Sequence, residues 1–162
     1  MNREDRERRF VSAVRERRDG MYRVALSMLR APQDAEDAVS AAVEAAWNHL
    51  DRIRDMDALS AYLMRCAVNA CHAIQRRRRR ESPVEDMVPL MPKAGDPAGL
   101  WEYLGSLPER YRLPLIMRFS EDMTVREIAV ALRITRSGAS SRIQRGLSIL
   151  REQMKKEATG RE

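Results

Sequence analysis

Residues 124–151 read TVREIAVALRITRSGASSRIQRGLSILR: a short helix, a three-residue break, then a longer basic helix. This is the layout of a helix-turn-helix. Thr124 is placed to cap the first helix, and Glu127, three residues on, completes a capping box. Ile128, Ala129 and Leu132 form its apolar stripe, Ile134 plugs the turn, and Thr135 is the second N-cap. Ala139, Ile143, Leu147 and Leu150 then recur as a buried seam. Outside that seam lie Arg136, Ser140, Ser141, Gln144 and Arg145, whose side chains can donate to phosphates and base edges. An ordinary amphipathic hairpin would share the seam. The donor-rich outer face favours a helix laid in a DNA major groove.

Working outward, charge is unevenly spread. The 162 residues carry 30 Lys plus Arg against 24 Asp plus Glu, a net charge of +6, which suits a polyanionic partner. Residues 1–80 are net +5, residues 81–100 net −3 and residues 101–162 net +4. Two basic blocks therefore flank an acidic connector. Aromatic residues are 5% of the chain and glycines number seven, which argues against a β-rich fold. No apolar run approaches the roughly 18 residues that span a bilayer. The N-terminal MNREDRERR lacks the apolar core of a signal peptide, so a cytoplasmic location is expected. Cys66 and Cys71 fall about 140° apart on a helix. They read as small buried thiols, not as a metal pair or a disulfide.

The periodicity is helical almost throughout. It predicts helices over about 3–17 and 20–30, with Gly20 as punctuation between them. Pro32 suits the first turn of a third helix running to about His49, and Asp34, Glu36 and Asp37 sit where the helix dipole favours carboxylates. After a charged loop from Leu50 to Met56, Asp57 is placed to cap a helix over about 58–79. Its apolar stripe is Leu59, Leu63, Cys66, Ala67, Ala70 and Ile74. Residues 81–99 hold four of the seven prolines and no helical period, and read as an extended linker that builds no common core. Short helices from Pro97 to Leu107 and from Pro108 to about Phe119 precede the helix-turn-helix. The predicted fold is all-α. It has two small helical domains, residues 1–80 and 100–162, joined by a flexible acidic linker over 81–99.

The first block has an informative face of its own. Arg65, Asn69, His72 and Arg76 recur along one side of the fourth predicted helix, opposite the apolar stripe, and Arg76 to Arg80 are five consecutive arginines. Amide, imidazole and guanidinium groups in one stripe suit contact with bases and phosphates.

Two basic helical blocks in this order, joined by an acidic linker, resemble the extracytoplasmic-function sigma factors of bacterial RNA polymerase. Met-Tyr-Arg-Val-Ala-Leu-Ser-Met-Leu (21–29), Asp-Ala-Glu-Asp-Ala-Val (34–39), Ala-Trp (46–47) and Val-Asn-Ala-Cys (68–71) resemble the family's second conserved region. Leu-Pro-Glu-Arg-Tyr-Arg-Leu-Pro-Leu (107–115), Glu-Ile-Ala (127–129) and Ser-Arg-Ile (141–143) resemble its fourth. The resemblance implies a promoter-specificity subunit. Its partners would be the polymerase core, through the β′ clamp helices and the β flap, together with promoter DNA. An anti-sigma factor is a further candidate partner. Arg65, Asn69, His72, Arg76 and Arg77 would meet the −10 element. Arg136, Ser140, Ser141, Arg142, Gln144 and Arg145 would read the −35 element. Asp37, Val39, Ser40, Val43 and Glu44 would face the β′ clamp. The resemblance implies no catalytic residue, no metal, no cofactor and no membrane insertion.

Several positions depart from the family pattern. A Gln-Glu pair is usual where Ser40 and Ala41 stand, which removes polar reach from the polymerase surface. The turn of the helix-turn-helix usually carries Gly where this chain has Arg133, and Ser137-Gly138-Ala139-Ser140 replaces the usual Gly-Thr-Val-Lys. The alternative is a sigma-like DNA-binding regulator that holds the polymerase weakly or not at all. A metal-dependent nuclease built on Asp34, Glu36, Asp37 and Glu44 is a more distant alternative. His49 and His72 lie far apart in sequence, with no base or nucleophile motif beside them.

Overall fold

The computed structural model describes residues 1–81, 88–96 and 99–160. Among these residues the secondary structure is helical, with no strand. The first helix, α1 (Arg3–Leu29), is N-capped by Asn2, whose side chain accepts the Asp5 N–H at 2.8 Å. It ends at Arg30 in the left-handed region, φ 55°, with the Arg30 N–H returned to the Leu26 carbonyl. The expected break at Gly20 is corrected: α1 runs straight through it. A mid-helix Gly costs about 1 kcal/mol relative to Ala and does not by itself end a helix. A Cβ at Gly20 would lie 2.6 Å from Glu121 Oε2, so the missing side chain makes room for a residue of the second block.

α2 (Pro32–Asn48) starts on Pro32, whose absent N–H needs no helical partner in the first turn. Two 3₁₀ turns, Leu50–Arg52 and Met56–Ala58, lead into α3 (Leu59–Arg80). Asp57 does not cap α3. Its carboxylate pairs with Arg9 at 2.6 Å, and Asp55 accepts the Asp57 N–H at the start of the preceding turn. α1, α2 and α3 pack on one another around Met21, Val24, Leu29, Leu50, Leu63 and Met64, all fully buried. Cys66 and Cys71 are buried free thiols, and burial pushes both upward, Cys71 to about 12.

The second block comprises α4 (Leu100–Ser106), α5 (Glu109–Leu115), α6 (Val125–Leu132) and α7 (Arg136–Gly160). Pro97, expected to open a helix, lies outside the described residues. α5 was expected to continue to about Phe119. Instead it gives way at Ile116–Ser120 to a π turn, closed by Glu121 N–H to the Ile116 carbonyl at 3.1 Å. Pro114, inside α5, has no N–H for the helical ladder and weakens the regular pattern just before the change. The π turn delivers Glu121 inward.

The two blocks pack against each other, with α6 lying on α3. The described part of the connector is tied to both blocks, which corrects the expectation that it stays out of the core. Leu90 is buried, and the Val88 N–H donates to the Arg30 carbonyl at 2.8 Å. Lys93 Nζ donates to the Ser120 carbonyl at 3.2 Å, and Asp96 Oδ2 accepts from Ser120 Oγ and Trp101 Nε1, each at 3.1 Å. Among the described residues no helix is long and apolar enough to cross a membrane.

Candidate nucleic-acid and polymerase interfaces

The helix-turn-helix is built by local hydrogen bonds. Thr124 Oγ1 accepts the Glu127 N–H at 3.1 Å, and Glu127 Oε1 accepts the Thr124 N–H at 3.0 Å, a complete capping box. Arg133 takes φ 58° at the turn, a left-handed conformation that only Gly adopts at no cost. Thr135 Oγ1 accepts the Gly138 N–H at 3.0 Å and opens α7. The α7 seam is as its spacing predicts: Ala139, Ile143 and Leu150 are buried and Leu147 is half-buried. At Gly146 a Cβ would lie 2.9 Å from Leu115 Cδ1, which sets how closely α7 approaches α5.

On the outer side of α7, Arg136, Ser140, Ser141, Gln144 and Arg145 are exposed, and Arg142 is half-buried. Among the described residues none of Arg136, Arg142 and Arg145 is held in a salt bridge. The surface therefore offers unpaired guanidinium groups beside hydroxyls and an amide. These are groups that contact phosphates and, in bidentate form, guanine and adenine edges.

The polar face of α3 is less uniform. Asn69, Arg76 and Arg77 are exposed, and Arg65 and His72 are half-buried. His72 is not free: its Nε2 lies 3.1 Å from Glu109 Oε2, and Gln75 Nε2 donates to Glu109 Oε1 at 3.0 Å. The His72 hydrogen bond, with help from Gln75, holds the Glu109 carboxyl below the usual carboxylate range against the opposing effect of burial. The arginine run also divides. Arg78 turns inward, where Nε donates to Asp34 Oδ2 at 3.0 Å and Nη1 to the Leu29 carbonyl at 2.7 Å. It ties the end of α3 to the turn between α1 and α2.

On α2, Val39, Ser40, Val43 and Glu44 line a groove of about 1190 Å³ between α1 and α2. Asp37 lies outside that lining and accepts from Gln33 Nε2 at 3.4 Å. The sequence reading missed the aromatic floor of the groove. Phe10 meets Trp47 edge-on at 5.3 Å, and the Arg3 guanidinium sits 5.3 Å over the Trp47 ring. Met91 of the connector also lines it. The sequence signal was Phe10, the one aromatic residue in the charged first 20 residues, with Val14 one helical turn on. A second, apolar cavity of about 300 Å³ opens in the second block between Leu100, Leu104, Ile116, Phe119 and Leu150.

The carboxylates of the nuclease alternative do not converge. Asp34 is bonded to Arg78, Glu36 and Glu44 line the groove, and Asp37 lies outside it. His49 Nδ1 sits 2.9 Å from the Ala45 carbonyl at the end of α2, remote from His72.

Comparison with known proteins matches both blocks. The sigma-70 region 2 family matches residues 13–81, and the sigma-70 region 4 family matches residues 98–150. The RNA polymerase sigma factor SigV of Bacillus subtilis is 24% identical over 91% of this chain and 92% of its own. The RNA polymerase sigma-E factor of Streptomyces coelicolor is 28% identical over 90% of this chain and 85% of its own. Among solved structures, the sigma factor RpoE of Bartonella quintana, in complex with the anti-sigma factor NepR, superposes with a TM-score of 0.74. It is 20% identical and covers 93% of this chain and 97% of its own. CnrH, in complex with the cytosolic domain of CnrY, gives 0.66 at 21% identity, over 92% and 89% of the two chains.

Proposed function

Because the chain belongs to the extracytoplasmic-function branch of the sigma-70 family, we infer that it directs bacterial RNA polymerase core to specific promoters and assists initiation there. The observation that carries this reading is the pairing of two unlike nucleic-acid faces on one chain. A donor-rich α7 is shaped for duplex, and a polar stripe on α3 is shaped for separated strand. One face alone would serve many DNA-binding proteins.

The roles proposed for the faces are those that the family resemblance implies. Arg136, Ser140, Ser141, Arg142, Gln144 and Arg145 read the −35 element. Arg65, Asn69, His72, Arg76 and Arg77 meet the −10 strand. Val39, Ser40, Val43 and Glu44 receive the β′ clamp, and the aromatic pair Phe10 and Trp47 extends that surface with apolar area. The apolar cavity beside Phe119 suits a helix of the β flap. The protein contributes no catalytic group, since bond formation belongs to the polymerase, and it works in the cytoplasm. An anti-sigma factor, the kind of partner bound by the Bartonella quintana relative, would compete for the same surfaces.

One observation favours a second reading, the polymerase-independent regulator. Ser40 and Ala41 are both exposed on α2 where the family usually presents a Gln-Glu pair. Titration against core polymerase separates the readings. Wild type should bind, and Ser40→Gln with Ala41→Glu should bind more tightly. Each new charge-assisted hydrogen bond contributes about 1.5–3 kcal/mol gross, less the cost of ordering the side chains. No binding by wild type and no gain in the double variant would favour the regulator.

A further inference from the structure

Among the described residues three that are not glycine hold the left-handed conformation: Arg30, Asp122 and Arg133. A side chain there carries a strain that Gly avoids, and two of the three have contacts to set against it. Arg30 Nη2 reaches the Gly105 carbonyl at 3.2 Å, and the Arg30 carbonyl accepts the Val88 N–H at 2.8 Å. Asp122 Oδ2 lies 3.9 Å from Lys93 Nζ. Arg133 differs. It is exposed, and among the described residues its guanidinium is in no hydrogen bond or salt bridge. The backbone leaves this position no other conformation. The Arg133 N–H donates to the Val130 carbonyl at 3.3 Å and the Ile134 N–H to the Ala129 carbonyl at 3.0 Å. That pair of bonds is a Schellman motif, which ends α6 on a left-handed residue whatever its side chain. Gly would fit without strain, so the arginine brings the fold no gain. Nor does the motif hold a counter-charge for it. From Met123 to Arg151 there are six arginines and one carboxylate, Glu127. That carboxylate is engaged in the capping box.

We propose that Arg133 is a phosphate contact of the helix-turn-helix, gripping the duplex backbone at the edge of the groove that α7 enters. The proposal rests on the reading of α7 as the duplex-reading helix. In a helix-turn-helix the second helix lies in the major groove and the first crosses the backbone. The turn that joins them therefore stands beside the phosphates bordering the groove, and Arg133 is in that turn. A planar guanidinium matches a phosphate with two parallel N–H donors. Such a contact carries no base information and raises affinity for every duplex sequence. It also returns to the motif a cation that is missing at Ser140, where the family usually carries Lys. A strained side chain kept for a partner acts with opposite sign on folding and on binding. Its removal relaxes the turn and releases the DNA. A side chain kept for the fold would lower both together.

The test measures both quantities on the full chain. Circular dichroism follows melting, and fluorescence anisotropy follows binding to a pool of short random-sequence DNA duplexes over a range of salt concentrations. Arg133→Gly should melt about 1–4 °C above wild type. Its plot of log affinity against log salt should be shallower by about 0.9, the share of one phosphate contact, which from about 1 M down to about 0.1 M salt amounts to an eight-fold weaker complex. Arg133→Lys keeps both the charge and the strain, so it should melt with wild type and bind within about three-fold of it. Unchanged affinity and slope in Arg133→Gly overturn the contact. A melt that falls together with binding overturns it too, because the side chain would then serve the fold. So does a loss in Arg133→Lys as large as in Arg133→Gly, which would leave the charge without a role. Arg136→Ala with Arg145→Ala, on the same pool, tells what else has failed. If that pair weakens binding and Arg133→Gly does not, α7 keeps the duplex and only the role of Arg133 is lost. If neither weakens it, the assignment of α7 to duplex falls as well.

Discussion

Arg78→Ala should cost fold stability, and Arg77→Ala, one residue earlier in the same run of five, should not. Arg78 makes a charge-assisted bond to the Leu29 carbonyl at 2.7 Å and an ion pair with Asp34. The two side chains are 19% and 27% exposed, so both are largely withdrawn from water. A hydrogen bond to a charged group contributes about 1.5–3 kcal/mol, and a surface-type pair adds up to about 1 kcal/mol. Fixing a long Arg side chain opposes this by as much as about 2 kcal/mol. The net expectation is a loss of about 1–2 kcal/mol. For a chain of this size that lowers the melting temperature by about 2–8 °C. Arg77 is exposed, and its truncation should leave the melt within about 0.5 kcal/mol of wild type. Circular dichroism melts of the two variants and wild type, at one salt concentration, decide the matter. Equal melts for wild type and Arg78→Ala, or equal losses in both variants, would refute the division of the arginine run.

Three further outcomes follow from the same geometry. Arg145→Ala should weaken promoter duplex binding by about 1–3 kcal/mol if Arg145 reads a base edge, and equally on all sequences if it touches only phosphate; competition titrations on specific and random duplex check this, and no loss on any DNA removes the residue from the site. Glu109, held below its ordinary value of 4.5 mainly by His72, stabilises the contact between blocks above that value and ceases to as pH falls through its folded value. The difference in melting temperature between wild type and Glu109→Gln should therefore shrink as pH falls below 4.5 and through the lower folded value, and a difference unchanged there counts against the bond. Cys71, pushed to about 12 by burial, should resist Ellman's reagent at neutral pH until the chain is unfolded; rapid labelling of two thiols in the native protein would contradict the packing of α3.

What was legible in the sequence was mostly local. The capping box at Thr124 and Glu127, the cap at Thr135 and the seam from Ala139 to Leu150 all act within a few residues, and each stands where its spacing put it. Gly20 misled for the opposite reason. Its cause is Glu121, about a hundred positions away, and no local rule registers such a neighbour. Leu90 escaped notice because an extended segment has no period to mark its buried side chain. Arg78 was findable. It lies four residues beyond Ile74 and seven beyond Cys71, on the continuation of the buried stripe of α3, so an arginine there needed a partner. Reading five identical residues as one feature hid that phase. The pairing of His72 and Gln75 with Glu109 could not be read at all, because it depends on how two stretches more than thirty residues apart meet.

Promoter-dependent run-off transcription measures most directly whether this chain gives RNA polymerase a choice of promoter. Core enzyme alone, core with wild type, and core with a chain carrying Arg145→Ala and Arg77→Ala are presented with a library of genomic promoter fragments. Discrete transcripts from a small set of fragments are expected with wild type, none from core alone, and loss of those transcripts with the double variant. Transcripts that do not depend on the added chain, or that survive both substitutions unchanged, would contradict it.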